Sequence, residues 1–402
     1  MFPMSMANGR AARLTVPLSS IPHRVRHERA RRRSNMRVLK SLNSIRMTSV
    51  LGCLVLSWCS WCPAKPIQVF NRESKEEVFS LAFSPDGLIL AVGSSAASTR
   101  TGLDPSERPL PEGTIELWDL KSGKLSHTLR QSAWHKRSDL SDDLNRVCSI
   151  SFSPDGKWMV GSDMIGYSLW DLAARTEKFS WRSRVSDQDL SVGWSGDSRL
   201  VALPSLEVEV ERFEFTHGPA VIEVATGKRT AFFPVEIGYA RSARISPDGK
   251  LLATAGHDCT VRVFDLAAQT NIFSDMVETT MWAVCFSPDG RYLVAGSSWG
   301  GVLLLYEITS EGGRIKVNKQ GKSSPGTGEL RHVEFTPDGK RAFSNSYSAV
   351  ALWDATSWAA PKQLLNCRGR LTPDGTRVAL VRNQSHGIIE LWNLNDLTKT
   401  MR

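Results

Sequence analysis

A four-residue turn recurs along the chain and constrains the fold more than any other feature of the sequence. It reads Ser-Pro-Asp-Gly at 84–87, 153–156, 246–249 and 287–290, Thr-Pro-Asp-Gly at 336–339 and 372–375, and Ser-Gly-Asp-Ser at 195–198. Pro fixes φ at the first corner, Asp hydrogen-bonds nearby backbone and Gly supplies positive φ, so each copy reads as a tight reversal between two strands. One and three residues before the turn stand Phe83 and Leu81, Phe152 and Ile150, Trp194 and Val192, Phe286 and Val284, Phe335 and Val333. A spacing of two is the period of a strand with one buried face. After each turn a second apolar run leads to a strand that ends on a large apolar residue and a polar or acidic one: Trp118-Asp119, Trp170-Asp171, Ile222-Glu223, Phe264-Asp265, Tyr306-Glu307, Trp353-Asp354 and Trp392-Asn393. Short turns such as 121–123 and 225–227 then lead to a fourth strand. A four-stranded unit cannot bury both of its faces alone, so repeated copies must stack on one another.

These turns and strand ends resemble the WD40 repeat family, over residues 66–397. The resemblance implies an all-β fold, a seven-bladed β-propeller of four-stranded antiparallel blades. In it, Trp118, Asp119, Trp170, Asp171, Phe264, Asp265, Trp353, Asp354 and Trp392 are the structural positions of the repeat. Asp258 resembles the family's buried Asp ahead of the Trp strand, and no Gly-His dipeptide precedes the innermost strands. The seventh unit stops at Trp392-Asn393-Leu394 without a fourth strand, while 66–70 is a spare strand ahead of the first. The two are expected to pair and close the ring, leaving no long free edge. The chain therefore divides into an N-terminal extension, 1–64, and a propeller, 65–402.

The formal charge of +9 belongs to the extension. Residues 1–64 hold ten Arg, one Lys and one acid, Glu28, which leaves 39 basic against 40 acidic residues for the rest. A near-neutral propeller has no electrostatic footprint for a phosphate backbone, so no nucleic-acid partner is expected of it. Within the extension, Met36, Arg37, Lys40 and Arg46 precede the apolar run 50–58, which ends near Cys62-Pro63-Ala64. The run is short for a membrane span, which needs about 20 apolar residues, and the pattern reads as a signal peptide over 36–64 cleaved after Ala64. The expected location is extracytoplasmic, periplasmic or secreted, with no transmembrane domain. The alternative is an intracellular protein with a basic, disordered N-terminal arm.

Of seven Cys, Cys53, Cys59 and Cys62 fall in that segment, and Cys148, Cys259, Cys285 and Cys367 are too scattered for a disulfide framework. Within the propeller, 65–402, no His or Cys pair has metal-ligand spacing, so no metal and no cofactor is expected. No Gly-x-Ser-x-Gly elbow is present, and Gly193-Trp194-Ser195-Gly196-Asp197 is only a worn turn. The inner-strand residues with chemical potential are His332, Glu334, Arg244, Arg331, Arg368 and Arg370, read as a solvated channel lining. A small-ligand or cell-envelope component site at the channel is the alternative, and a propeller enzyme a further one.

Loop lengths divide the two rims. Turns between first and second and between third and fourth strands are short, whereas the other rim carries insertions at 94–112, 131–145, 204–218 and 321–328. Loops on a rigid frame are where function concentrates. Trp134, His135, Lys136 and Arg137, with Trp299 and Tyr347, are therefore the expected partner-binding residues, Trp, Tyr and Arg being common interface anchors. The strict alternation of 206–211 predicts a protruding hairpin. The function expected from these readings is that of a non-catalytic, monomeric scaffold for other proteins.

Overall fold

Each recurrent turn is closed by its own side chains before it joins two strands. The Ser or Thr hydroxyl donates to the Asp carboxylate two residues on, as in Ser153–Asp155 at 2.6 Å and Ser287–Asp289 at 2.5 Å. The same oxygen accepts the N–H of the residue five on, Trp158 or Tyr292, at 2.9 Å. The Gly N–H returns to the Ser carbonyl at 2.9 Å in both copies. The worn third copy keeps the whole pattern: Ser195 donates to Asp197 at 2.6 Å, and Ser198 takes the place of Gly at φ 61°. Its hydroxyl also accepts the Asp155 N–H at 3.0 Å, tying the turns of neighbouring blades together.

The computed structural model describes residues 65–399 apart from 73–76, 95–112, 131–145, 165, 184–189, 212–213, 236–237, 324–327, 347–348, 359–361, 366 and 383–387. All of them belong to one unit, Trp61–Arg402. They form seven antiparallel sheets of four strands each, the expected propeller. The innermost strands of blades one to seven are Val78–Phe83, Ser149–Phe152, Gly193–Trp194, Ala240–Ile245, Met281–Phe286, His332–Phe335 and Arg368–Leu371. Blade seven takes its outermost strand from the N-terminal side: Gln68–Asn71 runs antiparallel to Ile388–Asn393, with Gln68 opposite Leu391.

Blades are held by apolar side chains that interleave between neighbouring sheets. Between blades five and six, Trp353 is fully buried against Leu303, Leu330, Val333 and Ala342, and its indole N–H donates to Ser344 Oγ at 2.9 Å. At the closing seam, Phe70 packs edge-on to Trp118 at 5.8 Å beside Leu391 and Leu81. A buried ion pair crosses the same seam: Arg72 Nε lies 2.6 Å from Glu116 Oε2, which also accepts the Trp118 indole N–H at 3.0 Å. The charge is buried with its hydrogen bonds made, the condition under which an interior ion pair is tolerated.

Asp119, Asp171, Asp265 and Asp354 cap the turns that follow them by accepting backbone N–H groups, for example Ala173 and Ala174 on Asp171 at 3.0 and 2.9 Å. Trp170, Phe264 and Trp392 are buried just ahead of those capping positions. Asp258 pairs with Arg262 at 2.5 Å. Asp163, in the equivalent turn of blade two, is also buried and accepts the Gly166 N–H at 2.8 Å, so Asp258 is not alone in that position.

The expected hairpin of blade three is formed by Leu200–Glu211 and Glu214–Glu223, with a register shift between Leu203 and Leu206 where Pro204 falls. Pro donates no ladder hydrogen bond and is accommodated at such irregularities. Tyr167 of blade two donates its hydroxyl proton to the Ser205 carbonyl at 3.0 Å and so anchors the base of the ribbon. The opposite rim is less plain than its short turns imply. In blade five, Leu303–Glu311 and Arg314–Ser323 stay paired beyond Glu307, through Ile308–Val317 to Glu311–Arg314, before turning at Gly312 and Gly313.

Candidate functional site at the channel mouth

The inner strands of three blades are irregular at one equivalent position, five residues before the turn. In blade four Ala240 faces Gly256 and Ser242 faces Ala255, which leaves Arg241 without an opposite residue. Trp282 in blade five and Phe79 in blade one are skipped in the same way. A bulge re-aims the side chain of the extra residue. These side chains assemble with arginines of neighbouring blades. The guanidinium carbons of Arg241 and Arg331 lie 4.1 and 4.0 Å from the centroid of the Trp282 ring. Those of Arg146 and Arg368 lie 5.0 and 5.9 Å from the Phe79 ring. Such cation–π contacts hold a guanidinium in place while leaving N–H edges for acceptors. Arg331 directs Nε and Nη2 at Glu329 at 3.0 and 2.9 Å.

These side chains border a cavity of about 80 Å³ lined by Phe79, Ser149, Ser191, His332, Arg368 and Arg370, among others, from five blades. Further along the axis Arg370 Nε lies 3.2 Å and His332 Nε2 3.4 Å from Glu334 Oε2, while Glu334 Oε1 accepts the Leu371 N–H at 3.0 Å. Arg244 donates to the Val192 and Ala243 carbonyls at 2.7 and 2.9 Å and to Ser191 Oγ at 2.6 Å. The expectation of a solvated lining is thus corrected. The side chains of His332 and Glu334 are 12% and 20% exposed, and Glu334 is bonded across to blade seven through Arg370 and the Leu371 N–H.

Charge states follow from this packing. Burial, helped by the nearby Arg370 charge, holds the His332 imidazole down to about 4, so it is neutral at pH 7. Burial alone would raise Glu334, but Arg370, His332 and the Leu371 N–H prevail and bring it down to about 2. Burial lowers Arg244 to about 10 and lifts the Cys148 thiol to about 12, so the first is charged and the second an inert thiol at neutral pH. Cys148, Cys259, Cys285 and Cys367 form no disulfide among the described residues.

Of the side chains expected to bind a partner, Trp299 is described: it is 76% exposed at the head of blade five, beside Gly300 and Gly301 at positive φ. Trp134, His135, Lys136, Arg137 and Tyr347 lie outside the described residues, as does the 36–64 segment. Phe79, Arg146, Arg241 and Trp282 were not apparent as channel residues from the sequence pattern. The signal available was the position five before each turn, where Phe79, Arg241, Trp282 and Arg331 coincide.

The family model described as "WD domain, G-beta repeat" matches residues 64–119, 136–165, 237–265 and 274–307. The chain is 24% identical over 274 residues to Protein HIR1 of Yarrowia lipolytica, covering 60% of this chain and 25% of that protein. It is 28% identical over 126 residues to the small ribosomal subunit protein RACK1 of Schizosaccharomyces pombe, 30% of this chain and 38% of that one. It therefore spans well under half the length of these curated relatives. The β-propeller domain of Cps50 (Swd1) from Myceliophteria thermophila superposes with a TM-score of 0.61 at 14% identity, over 83% of this chain and all of that one.

The relatives overturn the extracytoplasmic expectation. A small ribosomal subunit protein works inside the cell, so the likeness to RACK1 conflicts with export. The leader-like reading rested on a single apolar run, 50–58, behind basic residues, a local composition that a basic arm also presents. No helix among the described residues is long and apolar enough to cross a membrane. Seven four-stranded blades, a ring closed by its first strand, and the matched repeats place the chain in the WD40-repeat family of seven-bladed β-propellers.

Proposed function

We propose that the protein is a non-catalytic intracellular platform that binds other proteins at the channel-mouth rim. The observation that carries this is the contrast between the rims. One repeats a self-closing turn in every blade, while the other gathers bulged aromatic and arginine side chains, the blade-three ribbon and the exposed Trp299. Trp and Arg in such settings are the usual carriers of binding energy. Trp134, His135, Lys136, Arg137 and Tyr347 are proposed to extend the same surface from the adjoining insertions. The channel chemistry fits a structural role. His332 is neutral and Glu334 is held ionised by partners it cannot leave, so neither is poised to exchange a proton near pH 7.

The test is residue-resolved cross-linking of the full chain in extract of its native host. Partner cross-links are expected at residues of the mouth rim, and Trp299→Ala with Trp134→Ala is expected to reduce them. Cross-links confined to the turn rim or the outer blade edges would refute the assignment.

A further inference from the structure

Two seams between neighbouring blades hold the same positions with opposite chemistry. Phe70 of blade seven lies opposite Ile389, three residues before Trp392, and packs on Trp118 of blade one at 5.8 Å. Phe233 of blade three is its equivalent: its N–H bonds to the Pro219 carbonyl, three residues before Ile222, and its ring lies 4.3 Å from Phe264 of blade four. Two residues after Phe70 comes Arg72, and two before Trp118 comes Glu116. There the buried guanidinium grips both carboxylate oxygens, Nε to Oε2 at 2.6 Å and Nη2 to Oε1 at 3.0 Å. In the seam of blades three and four the same two places hold Val235 and Arg262. The arginine stands on the other side, and the short Val235 brings no carboxylate to it.

That seam is left open as a groove of about 520 Å³, walled by Phe233, Pro234, Val235, Phe264 and Met276 around Arg262. Arg262 Nη1 lies 2.5 Å from Asp258, which occupies one corner of the guanidinium. The edge formed by Nε and Nη2 is the one Arg72 turns on Glu116, and in Arg262 it has no hydrogen-bond acceptor among the described residues. The Arg262 side chain is 23% exposed, so this edge is reached from outside. Met276 at the lip is 81% exposed. Asp258 precedes the third strand of blade four, and Val235 and Met276 stand at the ends of fourth strands, so the groove opens at the edge of the mouth rim.

Resting on the platform reading above for the existence of a partner, we propose that this groove takes an extended segment of the partner protein in which one Asp or Glu stands between apolar residues. The free guanidinium edge matches a carboxylate through two parallel N–H···O bonds. The incoming carboxylate completes on Arg262 the fork that Glu116 makes on Arg72. A carboxylate alone leaves most of the groove empty, and the apolar walls on either side of Arg262 suit the residues that flank it. Met276 adds an adaptable, polarisable contact at the lip.

The test starts from random dodecapeptides displayed on phage and selected on the full chain, each enriched peptide then being measured by fluorescence anisotropy. Peptides with a single Asp or Glu between apolar residues are expected to be enriched. Arg262→Gln is expected to weaken them by about tenfold or more, the loss of one charged bidentate contact. Met276→Glu, at an exposed position that accepts a polar side chain, is expected to weaken them similarly and decides the matter if Arg262→Gln melts early once Asp258 loses its partner. Glu236, the residue after Val235, lies outside the described residues. Glu236→Gln is expected to change affinity by less than about twofold, and a gain of about tenfold, which would mean that the chain's own carboxylate fills the Arg262 edge, overturns the proposal. Peptides held by the basic extension keep their affinity in Arg262→Gln and Met276→Glu, and a pool made only of these overturns it as well. So does hexanoate that displaces a selected peptide and binds more tightly than the peptide, since the groove would then be one for a free carboxylic acid. Mouth-rim cross-links to a native partner without any such peptide would sink this inference alone. Absence of those cross-links would sink the platform reading.

Discussion

Along the turn rim, one hydrogen-bonding pattern serves Ser153, Ser195, Ser246 and Thr336 alike, although the worn copy has Gly196 where the others place Pro and a Ser at positive φ where they place Gly. At the mouth, the equivalent position five before the turn holds Phe79, Cys148, Arg241, Trp282 and Arg331 in successive described blades, with Leu190 in the third. The same strands thus end in uniform chemistry at one rim and divergent chemistry at the other. Uniformity belongs where every blade faces the same requirement, reversing a chain within four residues. Divergence is free to accumulate where the strand enters the axis and a bulge decides what the side chain meets.

If the frame and the mouth are separable in this way, frame substitutions should lower stability and leave binding intact, and mouth substitutions should do the reverse. The largest effect is expected from Trp353→Ala, a loss of about 3–5 kcal/mol in chemical unfolding; a loss below about 1 kcal/mol would break the comparison. Trp282→Phe should leave the midpoint nearly unchanged. Next comes Ser287→Ala, which removes the donor to Asp289 and the acceptor of the Tyr292 N–H and should cost about 1–2 kcal/mol.

The pH dependence separates the rims more finely. Hydroxyl bonds from Ser195 and Thr336 hold Asp197 and Asp338 below their ordinary values, so their contribution is present above the unfolded carboxylate pKa and lost as pH falls through the folded one. His332 is held at about 4 against an unfolded value near 6.5, so the unfolded chain takes up a proton that the folded one refuses. Its contribution is complete above pH ~6.5 and declines as pH drops towards ~4. His332→Gln should therefore flatten the melting temperature between these limits and leave the fall at lower pH. A wild-type profile already flat there would remove His332 from the buried network. The smallest effect is expected from Ser198→Gly. Relief of positive φ, worth about 1 kcal/mol, is offset by loss of the bond to Asp155, worth about the same, so the unfolding midpoint should barely move.

The fold was legible because its decisive chemistry is local: Pro, Asp and Gly in four consecutive positions dictate a reversal, and period-two apolar spacing on either side supplies the strands. Gln68–Asn71 was legible by counting, since the seventh unit lacked a strand and the first had one to spare. The mouth was not legible, and the cause is specific. Continuing period two backwards from Phe286 and Val284 assigns Trp282 to the same buried face, and from Ile245 and Ala243 it does so for Arg241. One extra residue at each bulge breaks that count, and a bulge leaves no mark in the residue types. The blade-five ribbon was missed for the converse reason. Its polar alternation past Glu307 has strand periodicity but no apolar face to announce it, and pairing of 308–311 with 314–317 supplies the order. The location was misread because leader-like composition is a property of a segment, whereas where a protein works is not.

The ring closure has a consequence for how the molecule is made. Gln68 and its partner Leu391 are about 320 residues apart, so among the described strands the first to be synthesised waits for the last. At 5–20 residues per second, a typical pace of translation, it waits roughly 15–65 s, while blades one to six form in order from neighbouring sequence. Until then Arg72 has no settled interior to enter, and Glu116 and Trp118 stand at an open seam. The completed protein has no free edge at that seam, but the nascent one carries it through nearly the whole of its synthesis. Any factor that shields the chain during that interval acts on a surface the finished propeller no longer has.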